Sequence, residues 1–161
     1  MYREGHVGAA LLAYAPVGTL FALRGAPSVA LVGLALMVAL AMVPDWDHRV
    51  PGIEHRGVTH TLAFAVVVGA VVAYGARVAA GATGPLTPPR AAAFGFFVGT
   101  MAVVVHLAAD ALTPAGVRPF WPLWGRTFTL SVTRASNPVA NYALLAMGVV
   151  ATSVGLLVAT G

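Results

Sequence analysis

"AAAFGFFVGTMAVVVHLAADAL", Ala91 to Leu112, decides what kind of protein this is. It is apolar almost throughout, yet it carries His106 and Asp110 near one end. A hydrocarbon layer of about 30 Å takes roughly 17–25 apolar residues in a helix. This stretch is long enough to cross one, and the rest of the chain supports that reading. Of the 161 residues, 59% are hydrophobic and only 9% are charged. The mean hydropathy is +0.87. A soluble domain carries roughly 25% charged residues, so this chain cannot cover a water-facing surface.

Working outward, four more segments have the same character: Val7 to Leu23, Pro27 to Val43, Val58 to Ala80, and Val139 to Ala159. Between the five lie Arg24–Pro27, Pro44–Gly57, Gly81–Arg90 and Thr113–Pro138, each marked by Pro and Gly. The expected fold is all-α: a polytopic membrane protein, a bundle of about five transmembrane helices forming one membrane-embedded domain over residues 1–161. Pro16 predicts a kink that a membrane helix tolerates. Gly8, Gly33, Gly69, Gly95, Gly99 and Gly148 suit close helix contact. Arg3 before an apolar run resembles a signal peptide. Glu4 and His6 do not suit a signal's first region, and no cleavage site followed by a soluble domain appears. No internal repeat is visible.

The chain has no cysteine, which excludes disulfides, thiolate metal sites and a Cys nucleophile. The net charge of +4 comes from Arg alone. These arginines are scattered through loops, which argues against nucleic-acid binding.

Five alternating spans sort the polar residues. Let face A be the side of the N-terminus. Glu4 and His6 open the first span there, and Asp45, Asp47 and His48 follow the second. Glu54, His55 and His60 precede or open the third, and His106 and Asp110 close the fourth. All five acids and all five histidines therefore fall on face A. Face A also has Arg3, Arg49, Arg56, Arg118, Arg126 and Arg134, against Arg24, Arg77 and Arg90 on face B. The positive-inside rule then directs face A to the cytoplasm.

His106 and Asp110 are four residues apart and share a helix face. Ionisable groups inside a span usually mark function; the plain alternative is a pair bonded to each other or to backbone. Asp45-Trp46-Asp47 follows a helix-ending proline. In an extended segment both carboxylates would face the same way, towards one ion; otherwise they are turn residues. His55 and His60 flank "RGVT", where Thr59 is expected to cap the third helix and orient His60. His48 reads equally as a ligand or as an interfacial residue, whereas His6 is a candidate ligand with an interfacial role as the alternative.

Imidazoles and carboxylates without thiolates suit a divalent metal, zinc foremost, with manganese or iron as alternatives. The donors exceed the needs of one tetrahedral ion, so two ions are an open reading, with Asp110 or Asp45 as the bridge. Such a site suits hydrolysis of a phosphoester or amide. Asp110 is then a candidate catalytic carboxylate. Arg56, always charged and bidentate, is a candidate holder of an anionic group, or else an ordinary salt-bridge partner. Phe120, Trp121, Trp124 and Phe128 suit a membrane-interface belt. A second reading makes them a lid that accepts an acyl chain and contributes Arg118 or Arg126.

"PDWDH", "HRGVTHT" and "HLAADALTPAG…FWP", with His6 before them, resemble the YdjM-like family of small prokaryotic inner-membrane proteins, described as membrane-bound metal-dependent hydrolases. The resemblance runs from His6 to about Pro122. It implies that His6, Asp45, Asp47, His55, His60, His106 and Asp110 occupy the family's polar motif positions, along with Arg56 and Thr59. The expected function is metal-dependent hydrolysis, with membrane lipid as environment and possible substrate. The alternatives are a metal-ion transporter, a metal-binding membrane protein without catalysis, and a structural protein whose polar cluster ties helix ends together. A transporter should place its ligands near the bilayer midplane; here they stop at one face.

Overall fold

The computed structural model describes residues 1–52, 55–81 and 85–161. Five α-helices form the framework: α1 (Arg3–Leu23), α2 (Pro27–Leu40), α3 (Leu62–Ala79), α4 (Pro88–Ala111) and α5 (Pro138–Thr160). Among the described residues there is no strand, only an isolated antiparallel bridge between Val117 and Phe128. Among the described residues, five segments are long and apolar enough to cross a membrane. The second needs help to do so. As an α-helix it has 14 residues, about 21 Å at 1.5 Å per residue. A 3-10 turn over Pro44–Arg49 extends the candidate span to Pro27–Arg49.

Local sequence sets the boundaries. Proline occupies the first turn of α2, α4 and α5, where its missing N–H costs nothing. Asn137 caps α5 by accepting from the N–H groups of Val139 and Ala140. The cap of α3 is Thr61, whose side chain accepts from Phe64 N–H at 3.1 Å. The expected cap, Thr59, lies instead in a short 3-10 turn over Val58–His60. Its hydroxyl is engaged elsewhere, and the helix starts four residues later than hydropathy predicts.

The bundle is turned inside out relative to a soluble protein. Leu31, Val67, Val71, Val150 and Leu157 are exposed on the outer faces, while His6, Asp47, His60, His106, Asp110 and Asn141 are buried. Lipid solvates the first set and cannot solvate the second. The strongest helix pairings are α1 with α5 and α3 with α4; α2 lies against α1 and α4. Small residues set the close approach. A Cβ on Gly8 would collide with the backbone of Leu144 and Leu145, and one on Gly99 would sit 3.0 Å from the Cα of Gly69. Lipid tails are as apolar as leucine, so this close van der Waals contact is what drives association.

Candidate metal centre

The α-helical part of α2 ends at Leu40, and Pro44 starts the 3-10 turn that carries Asp45 and Asp47. This corrects the expectation of an extended segment. At three residues per turn, side chains two apart point about 120° away from each other. The two carboxylates therefore take different company. Asp45 faces the ends of α1, α3 and α4. Asp47 turns towards the 55–60 loop.

The inner group is Asp45, His60, His106 and Asp110, whose ligating atoms all lie within 4.8 Å of one another. His60, His106 and Asp110 are buried to within 1% exposure. Asp45 Oδ1 lies 3.4 Å from the Nε2 atoms of both His60 and His106. Asp110 Oδ2 lies 3.5 Å from His60 Nε2 and 3.7 Å from His106 Nε2. The two imidazole Nε2 atoms approach to 3.3 Å.

The neighbours determine the tautomers. His106 Nδ1 is 2.7 Å from the carbonyl oxygen of Ala41, which only accepts, so Nδ1 carries a proton. The Thr59 hydroxyl donates to Asp47 Oδ2 at 2.8 Å. It therefore accepts from His60 Nδ1, 3.0 Å away. In neutral rings both Nε2 atoms are then bare lone pairs, aimed at each other and at two carboxylates. A cation among them, a proton or a metal ion, would relieve this arrangement. Burial works against a charge on His60, but its contacts with Asp110 and Asp45 outweigh it and raise its pKa above the ordinary value. The donor set fits a divalent ion: two nitrogens, two carboxylates, no thiolate, and outer hydrogen bonds that orient the rings.

Asp47 is fully buried and acts as a hub for the loop. Its Oδ2 accepts from Thr59 and from the Arg56 backbone N–H at 3.2 Å, and its Oδ1 lies 3.0 Å from His55 Nδ1. It stands 3.4 Å from His60 Nδ1, behind the ring relative to the inner group. An outer group of Asp45, Asp47, His48 and His55 also has its ligating atoms within 4.8 Å. The His48 and His55 rings lie 3.6 Å apart, both exposed. Glu54 lies outside the described residues.

His6 stacks on His106 with ring centroids 3.8 Å apart and planes within 5°. Its Nε2 is 3.4 Å from Asp110 Oδ1 and 3.9 Å from Asp45 Oδ2. The Met1 nitrogen lies 3.1 Å from that Nε2 and 2.6 Å from Asp110 Oδ1.

Arg56 has φ of 60°, a conformation that costs a side-chain-bearing residue of order 1 kcal/mol or more. Its backbone bond to Asp47 and its side-chain contacts hold it there. Nη1 donates to the Gly116 carbonyl at 2.8 Å, and Nη2 pairs with Asp110 Oδ1 at 3.2 Å. Arg56 thus joins the inner group to the 113–138 connection. That connection is itself tied down: Leu130 N–H donates to Ala111 O, and Leu62 N–H to Pro119 O. Its aromatics form their own cluster. Phe120, Trp124 and Phe128 touch in pairs, and the Arg126 guanidinium lies 5.8 Å from the Trp124 ring and 5.7 Å from Phe128. Ala41, Thr61, Thr113 and Gly116 join the site or its support without any chemical signature in the sequence. Three of these contribute through backbone carbonyls or a helix cap, which only the fold brings into place.

Fold and site together define a polytopic membrane protein with, among the described residues, two His/Asp groups able to hold a metal ion at one end of its bundle. The chain belongs to the YdjM inner membrane protein family, whose model matches residues 1–160. The match extends through α5, beyond the motif-bearing part that carries the resemblance in sequence. No curated protein and no solved structure matches the chain.

Proposed function

We propose that this protein is a membrane-bound, zinc-dependent hydrolase of an amphiphilic phosphoester, with its site on the cytoplasmic side of the inner membrane. The observation that carries the proposal is the convergence of His60 and His106 Nε2, 3.3 Å apart, on the oxygens of Asp45 and Asp110. These four residues would hold the ion. A divalent ion in such a set supplies Lewis acidity and activates water near neutral pH. Ala41 O and Thr59 keep both rings in the tautomer that leaves Nε2 free. Asp47 supports His60 through Thr59. Asp110 is held by Arg56, whose side chain is 17% exposed at the rim of the site. From there its remaining donors can meet an anionic head group. The apolar outer faces of the helices surround this rim with lipid, which favours a substrate already in the membrane.

The test is made on purified protein in lipid nanodiscs. Metal content is measured and a panel of lipid phosphoesters is scanned for hydrolysis. The expected result is bound zinc and turnover of an anionic lipid, both lost in His106→Ala. Metal retained without turnover of any lipid would reduce the protein to a metal binder. Absence of metal would remove the basis of the reading.

A further inference from the structure

We propose that the site holds two cations, the second bound by His6 Nε2 together with the outer oxygens of Asp45 and Asp110. This inference rests on the metal-centre reading above and extends it. Its basis is how the carboxylate oxygens are divided. Asp45 turns Oδ1 to His60 and His106, and Oδ2 to His6. Asp110 turns Oδ2 to His60 and His106, and Oδ1 to His6, where the Met1 ammonium and Arg56 Nη2 also meet it. Each carboxylate therefore has one oxygen on either side, the arrangement that bridges a metal pair.

The spacing agrees. His6 and His106 are parallel, with centroids 3.8 Å apart. Two-metal hydrolytic sites hold their ions about 3.5–4 Å apart. Both stacked imidazoles direct Nε2 to Asp45 and Asp110, so they address the same two carboxylates side by side. The Met1 ammonium stands at the second position, 3.1 Å from His6 Nε2 and 2.6 Å from Asp110 Oδ1, and the second ion would take its place. His6 itself needs such a partner. Its ring is 1% exposed, and Nδ1 has no hydrogen-bond partner among the described residues. A buried imidazole is costly to leave unsatisfied on both sides, so a cation at Nε2, the Met1 ammonium or a metal ion in its place, supplies the compensation.

The outer group of Asp45, Asp47, His48 and His55 competes for the role of second site. Its imidazoles are exposed, and Asp47 Oδ1 is already engaged by His55. It lacks the carboxylate pair shared by the inner residues.

The experiment uses the full chain in nanodiscs loaded with Mn²⁺ and passed through a desalting column. The readouts are metal-to-protein stoichiometry and the electron paramagnetic resonance spectrum. Two ions per chain with a spin-coupled spectrum are expected. His6→Ala and His6→Gln should each retain one ion and give the six-line spectrum of isolated Mn²⁺. His55→Ala should keep both ions and the coupling. One uncoupled ion in the unmodified protein would overturn the second site and leave the first standing. Zero ions would overturn both. Loss of the second ion in His55→Ala with its retention in His6→Ala would assign it to the outer group and refute the proposal. If the His6 variants fail to fold, the coupling in the unmodified protein and the His55→Ala result decide.

Discussion

Thr59→Val removes one hydroxyl from the molecule and almost nothing else, so it isolates the support behind His60. That hydroxyl is buried and makes two contacts, 2.8 Å to Asp47 Oδ2 and 3.0 Å to His60 Nδ1. Without it, His60 loses the acceptor that keeps its proton on Nδ1, and Asp47 loses one of its donors. Outer partners of metal-ligating histidines are typically worth 10–100-fold in affinity, or about 1.4–2.7 kcal/mol. The local geometry argues for the lower end. Asp47 Oδ2 is already 3.4 Å from His60 Nδ1, so a small ring rotation recovers a direct bond. Thr59→Val should weaken zinc binding about tenfold, and the double variant Thr59→Val/Asp47→Ala, which removes the fallback acceptor as well, nearer 100-fold. Thr59→Ser keeps the hydroxyl and should bind like the unmodified protein. The assay is competition against a chromophoric chelator at constant pH, with His106→Ala as the non-binding reference. Unchanged affinity in Thr59→Val, or equal loss in Thr59→Ser, would refute the relay from Asp47 through Thr59 to His60.

Zinc affinity should fall with pH, because the ion displaces the proton that His60 holds in the metal-free site. Burial lowers the His60 pKa, the contacts with Asp110 and Asp45 raise it more, and the net shift is upward. In the metal-free protein the stabilisation from charged His60 is complete below its unfolded value of about 6.5 and is lost as pH rises through the raised folded value. Below that folded value, affinity should drop about tenfold per pH unit for the one proton displaced; a flat profile from pH 6 to 8.5 would contradict this. Gly8→Leu should destabilise the bundle by at least roughly 1–3 kcal/mol, since its side chain meets the backbone of Leu144 and Leu145. Gly75→Ala, with nothing within 4 Å of its added Cβ, should cost nothing, and denaturation in mixed micelles compares the two. The chain has no cysteine, so Ser136→Cys gives a single reporter beside the start of α5. It should resist a membrane-impermeant maleimide in intact cells and react in inverted vesicles; the opposite pattern would put the site on the outer side.

Composition and spacing alone determined that this chain crosses a membrane several times and gathers its histidines and acids at one end. The physical reason is that lipid tolerates few charges, so each ionisable residue near a span stands out, and helix alternation assigns its side. His106 and Asp110, on one face of α4, were legible for the same reason. Hydropathy located the spans but misjudged the start of α3, because Val58 is apolar while a 3-10 turn draws Thr59 and His60 into the polar site before the helix begins. What each side chain does was decided only by the tertiary structure. The 3-10 turn after Pro44 separates Asp45 from Asp47, sending one to the inner histidines and the other to the Thr59 hydroxyl. The carbonyl of Ala41, 65 residues from His106, determines which nitrogen of that ring is free. A backbone oxygen is identical in every residue, so no pattern of letters reveals which one a distant histidine will meet.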